Sequence, residues 1–165
     1  MPLFFALWPD ESARARLGEV AKLLHGECGG KKTREESIHL TLVFLGEVEK
    51  TGPLIEMASR LSANAFEIRI DRAGYWKHNR IAWAGVAESR ELADLVASLQ
   101  TALKAAGFEY DERNHFPHVT LVRKAGEPKA LPDFEPFSWQ ASEFCLVGST
   151  PSGYSVIGRW RLRSA

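Results

Sequence analysis

Two four-residue stretches of the chain share one pattern. His39-Leu40-Thr41-Leu42 lies in the first half and His118-Val119-Thr120-Leu121 in the second, so two of only five histidines open matching His-x-Thr segments. Successive side chains of a strand point to opposite faces, which puts His39 with Thr41 and His118 with Thr120, while the intervening aliphatic residues turn to a core. Each segment thus offers an imidazole beside a hydroxyl. One such segment reads equally well as a half-buried strand histidine satisfied by a neighbour. Two copies facing each other across a cleft would flank one substrate. Because an unperturbed histidine titrates near ~6.5, one can be neutral and the other protonated near neutral pH, the division of labour that general acid–base catalysis requires.

Such a pair suits phosphodiester cleavage. A neutral imidazole takes a proton from water, an imidazolium gives one to the departing ribose oxygen, and the threonine hydroxyls donate to the non-bridging oxygens as charge builds on phosphorus. Arg123 lies where the second strand runs out and reads either as a guanidinium for the same phosphate or as a surface arginine. Metal binding is the competing use of histidine, but zinc-ligand spacings are missing and the nearby carboxylates Glu35, Glu36 and Glu47 form no ligand pattern. No glycine-rich phosphate loop and no serine elbow is found, so neither a metal nor a cofactor is implied.

The elements that must hold these residues are predicted from periodicity. Leu3 to Trp8 suits a buried strand, and Asp10 caps a helix through Ala13, Leu17, Val20 and Leu24 that breaks at Gly26 and Gly29-Gly30. Ile38 to Leu45 is strand-like, and Leu54, Ala58, Leu61 and Ala65 mark a second helix. Phe66 to Ile70 and Ile81 to Val86 read as an antiparallel pair joined by GYWKHNR. Ser89 caps a third helix with a Leu92, Leu95, Leu99, Leu103 stripe ending at Gly107. Val119 to Val122, a proline-rich loop PKALPDFEP, and strands Phe144 to Val147 and Ser155 to Leu162 complete the chain.

Bulk properties narrow the classes. A chain of 165 residues, 45 % hydrophobic and 25 % charged, fits one folded domain, residues 1–165. Twenty-one basic residues cancel twenty-one acidic ones, which argues against coating nucleic acid through bulk charge while leaving room for a local basic cleft. Cys28 and Cys145 read as free thiols of a reducing compartment. With no signal peptide and no apolar run of membrane-spanning length, the expected location is the cytoplasm, away from membranes.

The sequence resembles the 2H phosphoesterases, named for two His-x-Thr-x motifs, and among them the RNA 2',3'-cyclic phosphodiesterases also called 2'-5' RNA ligases. LFFALWP matches the family's opening strand, IHLTLVFLGEV its first motif, NRIAWAGV a middle strand, FPHVTLVRKA its second motif and SGYSVIGRWRL its final strands. Ahead of the second motif the family often has Phe-x-Pro-His, where this chain has His115 and Phe116 before Pro117. The resemblance implies a bilobal α+β fold, with two pseudo-symmetric lobes whose antiparallel sheets line a central groove and whose helices lie outside. It also implies His39 as proton donor, His118 as proton acceptor, Thr41 and Thr120 on the phosphate, and Arg123 assisting. The implied reaction is metal-independent hydrolysis of a terminal 2',3'-cyclic phosphate to a 2'-phosphate. The resemblance also implies reversible 2'-5' ligation, in which a 5'-hydroxyl end in place of water opens the cyclic phosphate to a 2'-5' linkage.

Around this core stand weaker candidates for substrate binding. Trp76, Lys77, His78 and Arg80 form a loop that would stack a base and steer a backbone, or simply a solvated hairpin connection. Tyr154 is placed near the groove by the resemblance, though a tyrosine in a late strand also fits a core edge. Lys31, Lys32 and Arg34 would rim the groove or make a solvated turn. The expected partner is RNA ending in a 2',3'-cyclic phosphate, such as tRNA fragments, bound by a monomer. The rivals are an enzyme for a small cyclic nucleotide, a nucleoside or ADP-ribose cyclic phosphate, and a non-catalytic module that binds RNA ends.

Overall fold

The structure, a computed structural model, describes residues 1–113 and 116–164. Strand β1 (Pro2–Leu7) leads to helix α1 (Glu11–Cys28), β2 (Lys31–Lys32), a 3-10 turn (Glu35–Ser37) and β3 (Leu40–Glu47). Helix α2 (Gly52–Ser59), β4 (Phe66–Trp76), β5 (Ile81–Val86), α3 (Arg90–Ala105) and β6 (His118–Arg123) follow. The chain closes with β7 (Phe137–Ala141), β8 (Glu143–Thr150) and β9 (Gly153–Arg161). Caps stand where the sequence predicts them: Asp10 accepts from the Ala13 amide at 2.8 Å and Ser89 from the Leu92 amide at 3.1 Å, each satisfying a helix-start donor.

Among the described residues the strands form one sheet, β7-β4-β5-β6-β3-β1-β8-β9, with β2 on the side of β6. All its ladders are antiparallel. It divides into two halves of four long strands, β7-β4-β5-β6 and β3-β1-β8-β9, which meet at the single pair Leu40–Val119. The helices stitch this thin seam. α1 follows β1 in one half yet packs on β5, β6 and β7 of the other, and α3 lies on β3 and β4. One apolar cluster then runs through both halves, including Leu17 and Leu24 of α1, Leu99 and Leu103 of α3, and Leu40 and Val119 at the seam. Cys28 and Cys145 are free and buried. No helix among the described residues is long and apolar enough to cross a membrane.

Three sequence expectations change. The second helix stops at Ser59 rather than running through Leu61 and Ala65. Its last amides fold back three residues, Arg60 to Met57 and Leu61 to Ala58, and the chain beyond is held extended by the Arg163 backbone, whose carbonyl takes the Ala65 amide. Strand β4 runs on to Trp76, so only Lys77 to Arg80 turn. Strand β7 occupies a stretch that the sequence reading left outside the strands.

Candidate active site

The seam between the halves is where the two motifs meet. Leu40 pairs with Val119, and carrying the antiparallel register one residue each way sets His39 across from Thr120 and Thr41 across from His118. Leu40 and Val119 are buried while the four motif side chains are half-buried on the opposite face, the alternation the sequence predicts. His39 itself stands just before β3, and His118 opens β6.

A matching irregularity follows each threonine. On β1, Ala6 pairs with Thr41 and Phe5 with Val43, so Leu42 is an extra residue; on β5, Trp83 pairs with Thr120 and Ala82 with Val122, so Leu121 is extra. Such a bulge lets two consecutive residues turn to the core, and Leu42, Val43, Leu121 and Val122 are all buried. It also returns the next residue to the motif face. That residue is Phe44 in one half and Arg123 in the other, so the same backbone device presents an exposed aromatic ring at one copy and a guanidinium at its counterpart.

Both imidazoles are held by the same short-range bond. His39 Nδ1–H donates to the Ser37 carbonyl at 2.8 Å and His118 Nδ1–H to the Phe116 carbonyl at 2.8 Å, in each case two residues back. A carbonyl only accepts, so this fixes the neutral tautomer with the proton on Nδ1 and leaves Nε2 basic. Nε2 of His39 accepts from the Thr41 hydroxyl at 3.1 Å.

The surroundings differ. His39 is stacked by Phe4 and Trp8, with ring centroids at 5.0 and 4.9 Å, and meets the Tyr154 ring edge-on at 5.1 Å. Burial among these rings lowers its pKa from the ordinary 6.5 to about 4; the bond to Ser37 opposes the change, and the nearby charges of Arg123 and His118 add to it. His118 packs instead at the mouth of a cleft of about 390 Å³ that Thr41, Phe44, Trp76 and Phe116 also line. Trp76 meets its ring edge-on at 4.6 Å. Trp83, beneath Phe116 at 5.1 Å, backs this wall, and Gly74 makes room for it because any Cβ there would collide with the indole.

Arg123 and Tyr154 line a second cleft beside the first, about 570 Å³ in volume, with Lys31, Lys32 and Arg34. Arg80 faces elsewhere: its guanidinium donates to the carbonyls of Lys124 at 3.3 Å and Ala125 at 3.2 Å, clipping the end of β6. The sequence reading placed Trp76 and Tyr154 near the motifs but missed Phe4, Trp8, Phe44 and Ser37. His115 lies outside the described residues; Phe116, displaced by one position from the family pattern, still joins the aromatic wall.

Fold and paired motifs define the class as two-histidine phosphoesterases. The family described as LigT like Phosphoesterase matches residues 7–83 and again residues 85–157, one motif to each match. The RNA 2',3'-cyclic phosphodiesterase of Escherichia coli is 33 % identical over 81 % of this chain and 80 % of its own length, and that of Archaeoglobus fulgidus 35 % identical over 74 % and 72 %. The crystal structure of E. coli LigT complexed with 3'-AMP superposes with a TM-score of 0.83 at 30 % identity, covering 98 % of this chain and 99 % of that one. The chain belongs to the LigT-like phosphoesterases, a family of phosphodiesterase enzymes.

Proposed function

We propose that residues 1–165 act as one domain and a monomer that hydrolyses a terminal RNA 2',3'-cyclic phosphate to a 2'-phosphate. The observation that carries the reading is the meeting of both His-x-Thr segments on one sheet face, with both imidazoles in the same tautomer and both halves of the site supplied by one chain. Nε2 of His118 takes a proton from water as the water oxygen attacks phosphorus. The bond from phosphorus to the 3'-oxygen breaks, and His39 protonates that oxygen to leave a free 3'-hydroxyl beside the 2'-phosphate. Thr41 and Thr120 donate to the non-bridging oxygens, and Arg123 offsets the charge gathering on them. With a 5'-hydroxyl in place of water, the same groups make a 2'-5' linkage. No step needs a metal ion.

The low pKa of His39 fits the donor role only if substrate raises it. A phosphate negative charge about 4 Å away at an effective dielectric constant of about 20 contributes about 4 kcal/mol, enough to move a titration by about three pH units. Substrate thus arms its own acid, while a water molecule alone meets a neutral, unreactive imidazole. Relatives support the substrate class: those of E. coli and A. fulgidus carry the name RNA 2',3'-cyclic phosphodiesterase, and LigT has been crystallised with 3'-AMP.

The test is to incubate the protein, in chelator, with a short RNA ending in a 2',3'-cyclic phosphate and to identify the monophosphate formed. Selective 2'-phosphate at an undiminished rate is expected. A 3'-phosphate would reverse the leaving group, an unchanged RNA with turnover of a nucleoside cyclic phosphate would move the substrate to small molecules, and no turnover of either would favour a binding module.

A further inference from the structure

The carbonyls that hold the two imidazoles are themselves anchored in different ways. At His39 the acceptor is the Ser37 carbonyl, and the peptide that carries it is tied down at its other end, where the Ile38 N–H donates to the Glu35 carbonyl at 3.2 Å within the 3-10 turn. At His118 the acceptor is the Phe116 carbonyl, and the nitrogen of that peptide belongs to Pro117, which has no N–H to donate. Phe116 and Pro117 also lie outside the helices and strands. Holding that carbonyl in place falls to the groups that grip the Phe116 side chain.

Two of those groups are Trp76 and Trp83, whose ring centroids lie 5.6 and 5.1 Å from that of Phe116. A third is Arg72, whose guanidinium carbon stands over the Phe116 ring at 5.8 Å from its centroid, in cation–π range. A bulge brings Arg72 there. Ile70 pairs with Val86 and Arg72 with Gly85, so Asp71 is an extra residue in β4 and Arg72 turns to the motif face instead of following Ile68 and Ile70 into the core. Gly85 pairs in turn with His118, which sets Arg72, Gly85 and His118 in one row across three strands. The middle member of the row has no side chain. A Cβ on Gly85 would stand 2.8 Å from Arg72 Cγ, 2.9 Å from Nε and 3.0 Å from Cζ, so the arginine occupies the space over the glycine. Its Nη1 donates to Asp71 Oδ1 at 2.8 Å and to the Val86 carbonyl at 3.4 Å, bonds that hold the head in that place.

We infer that Arg72 is a positioning residue for the proton acceptor: laid over Gly85 with its guanidinium against Phe116, it steadies the carbonyl that holds His118 Nδ1 and so makes Nε2 the nitrogen that takes the proton. The inference rests on the function proposed above, in which His118 is the acceptor. When the Phe116 carbonyl turns away, Nδ1–H loses its partner and the tautomer with the proton on Nε2 competes, and that tautomer has no lone pair on Nε2 for the proton of water. Arg72 acts through Phe116 and touches no reacting atom.

The test reads His118 itself. Long-range proton–nitrogen NMR spectra of the 15N-labelled full chain, taken at mildly alkaline pH, distinguish the two tautomers of each neutral imidazole, and kcat and KM are measured on an RNA 2',3'-cyclic phosphate. Wild type should show both motif histidines with the proton on Nδ1. Arg72→Ala should shift His118 to a mixture of tautomers while His39, held by the 3-10 turn, keeps its signals and serves as the internal control. Its kcat should fall about tenfold with KM little changed. Gly85→Ala keeps the arginine but pushes it off its seat, and should give the same signature at His118. A wild-type His118 tautomer in either folded variant would overturn the inference, as would a rise in KM at unchanged kcat, which would make Arg72 a substrate contact. Failure of the wild type to turn over the RNA would strike the proposed reaction instead, and the tautomer spectra would still decide whether Arg72 sets His118.

Discussion

Two imidazoles of one motif, held by the same backbone bond, sit in unlike surroundings, and the difference has consequences at the scale of single residues. His39 lies among Phe4, Trp8 and Tyr154, and its pKa falls to about 4. In the unfolded chain it returns to its ordinary range. Between those limits the unfolded chain binds a proton that the folded one refuses, so the stability contributed by neutral His39 is full above about 6.5 and is lost as pH falls toward about 4. Thermal melts should therefore fall across that window, and His39→Gln should flatten part of the fall; parallel melting curves for the two proteins would contradict it. Titration of His39 by NMR should give a value well below ordinary histidine in the free protein and a rise on adding a 2'-phosphorylated nucleotide. Replacing a hydroxyl, Thr41→Val or Thr120→Val, should lower kcat by about 10²-fold, the usual cost of one transition-state donor, with melting little changed. The motif residues themselves were legible in the sequence because their types repeat. Of the rings around His39, Tyr154 was named from the resemblance but Phe4 and Trp8 were not, since they belong to an apolar run that reads as core until register turns alternate side chains toward the groove.

At the scale of elements, much of the site is made by deviations from regular strands. The bulges at Leu42 and Leu121 bring Phe44 and Arg123 to the motif face, and a strict two-residue alternation from His118 would have sent Arg123 to the core side. A bulge leaves no composition signal of its own, only the paired Leu-Val after each threonine, which shows here in both copies. Strand β7 did carry a signal: Phe137, Trp139 and Ala141 are buried and alternate with exposed Ser138 and Gln140, but the preceding proline-rich loop masks its start. The helices, by contrast, were read almost to the residue at their capped ends, and the second failed at its uncapped end. Gly74 gives this scale its prediction. Its lack of a Cβ lets the Trp83 indole pack over it and meet Trp76 and Phe116, so Gly74→Ala should cost about 1–3 kcal/mol in denaturant unfolding and lower turnover by shifting the wall at His118. A Trp83→Ala change made in the same chain should relieve part of that cost; strict additivity of the two would show that the contact is not what matters.

For the whole molecule, one sheet joined at a single pair and stitched by crossing helices lets two similar halves present one motif each to a shared groove. The α+β class and the presence of two related halves were legible from the strand and helix order and from the repeated motif. The unequal charge of the two clefts was not, because a net balance of twenty-one against twenty-one says nothing of where the charges gather. Since the larger apolar cluster runs through both halves, Leu99→Ala in α3 should cost about 2–5 kcal/mol and unfold the chain in one transition. The claim that the halves make one catalytic unit is tested most directly by a double-mutant cycle. Turnover of an RNA 2',3'-cyclic phosphate is measured, in chelator, for His39→Ala, His118→Ala and the double variant. Each single change should lower kcat by about 10²-fold or more, and the double change should be little worse than the poorer single, because an acid and a base that act on one phosphate fail together. Wild-type turnover in either single variant, or losses that simply multiply, would mean that the two histidines do not share a reaction.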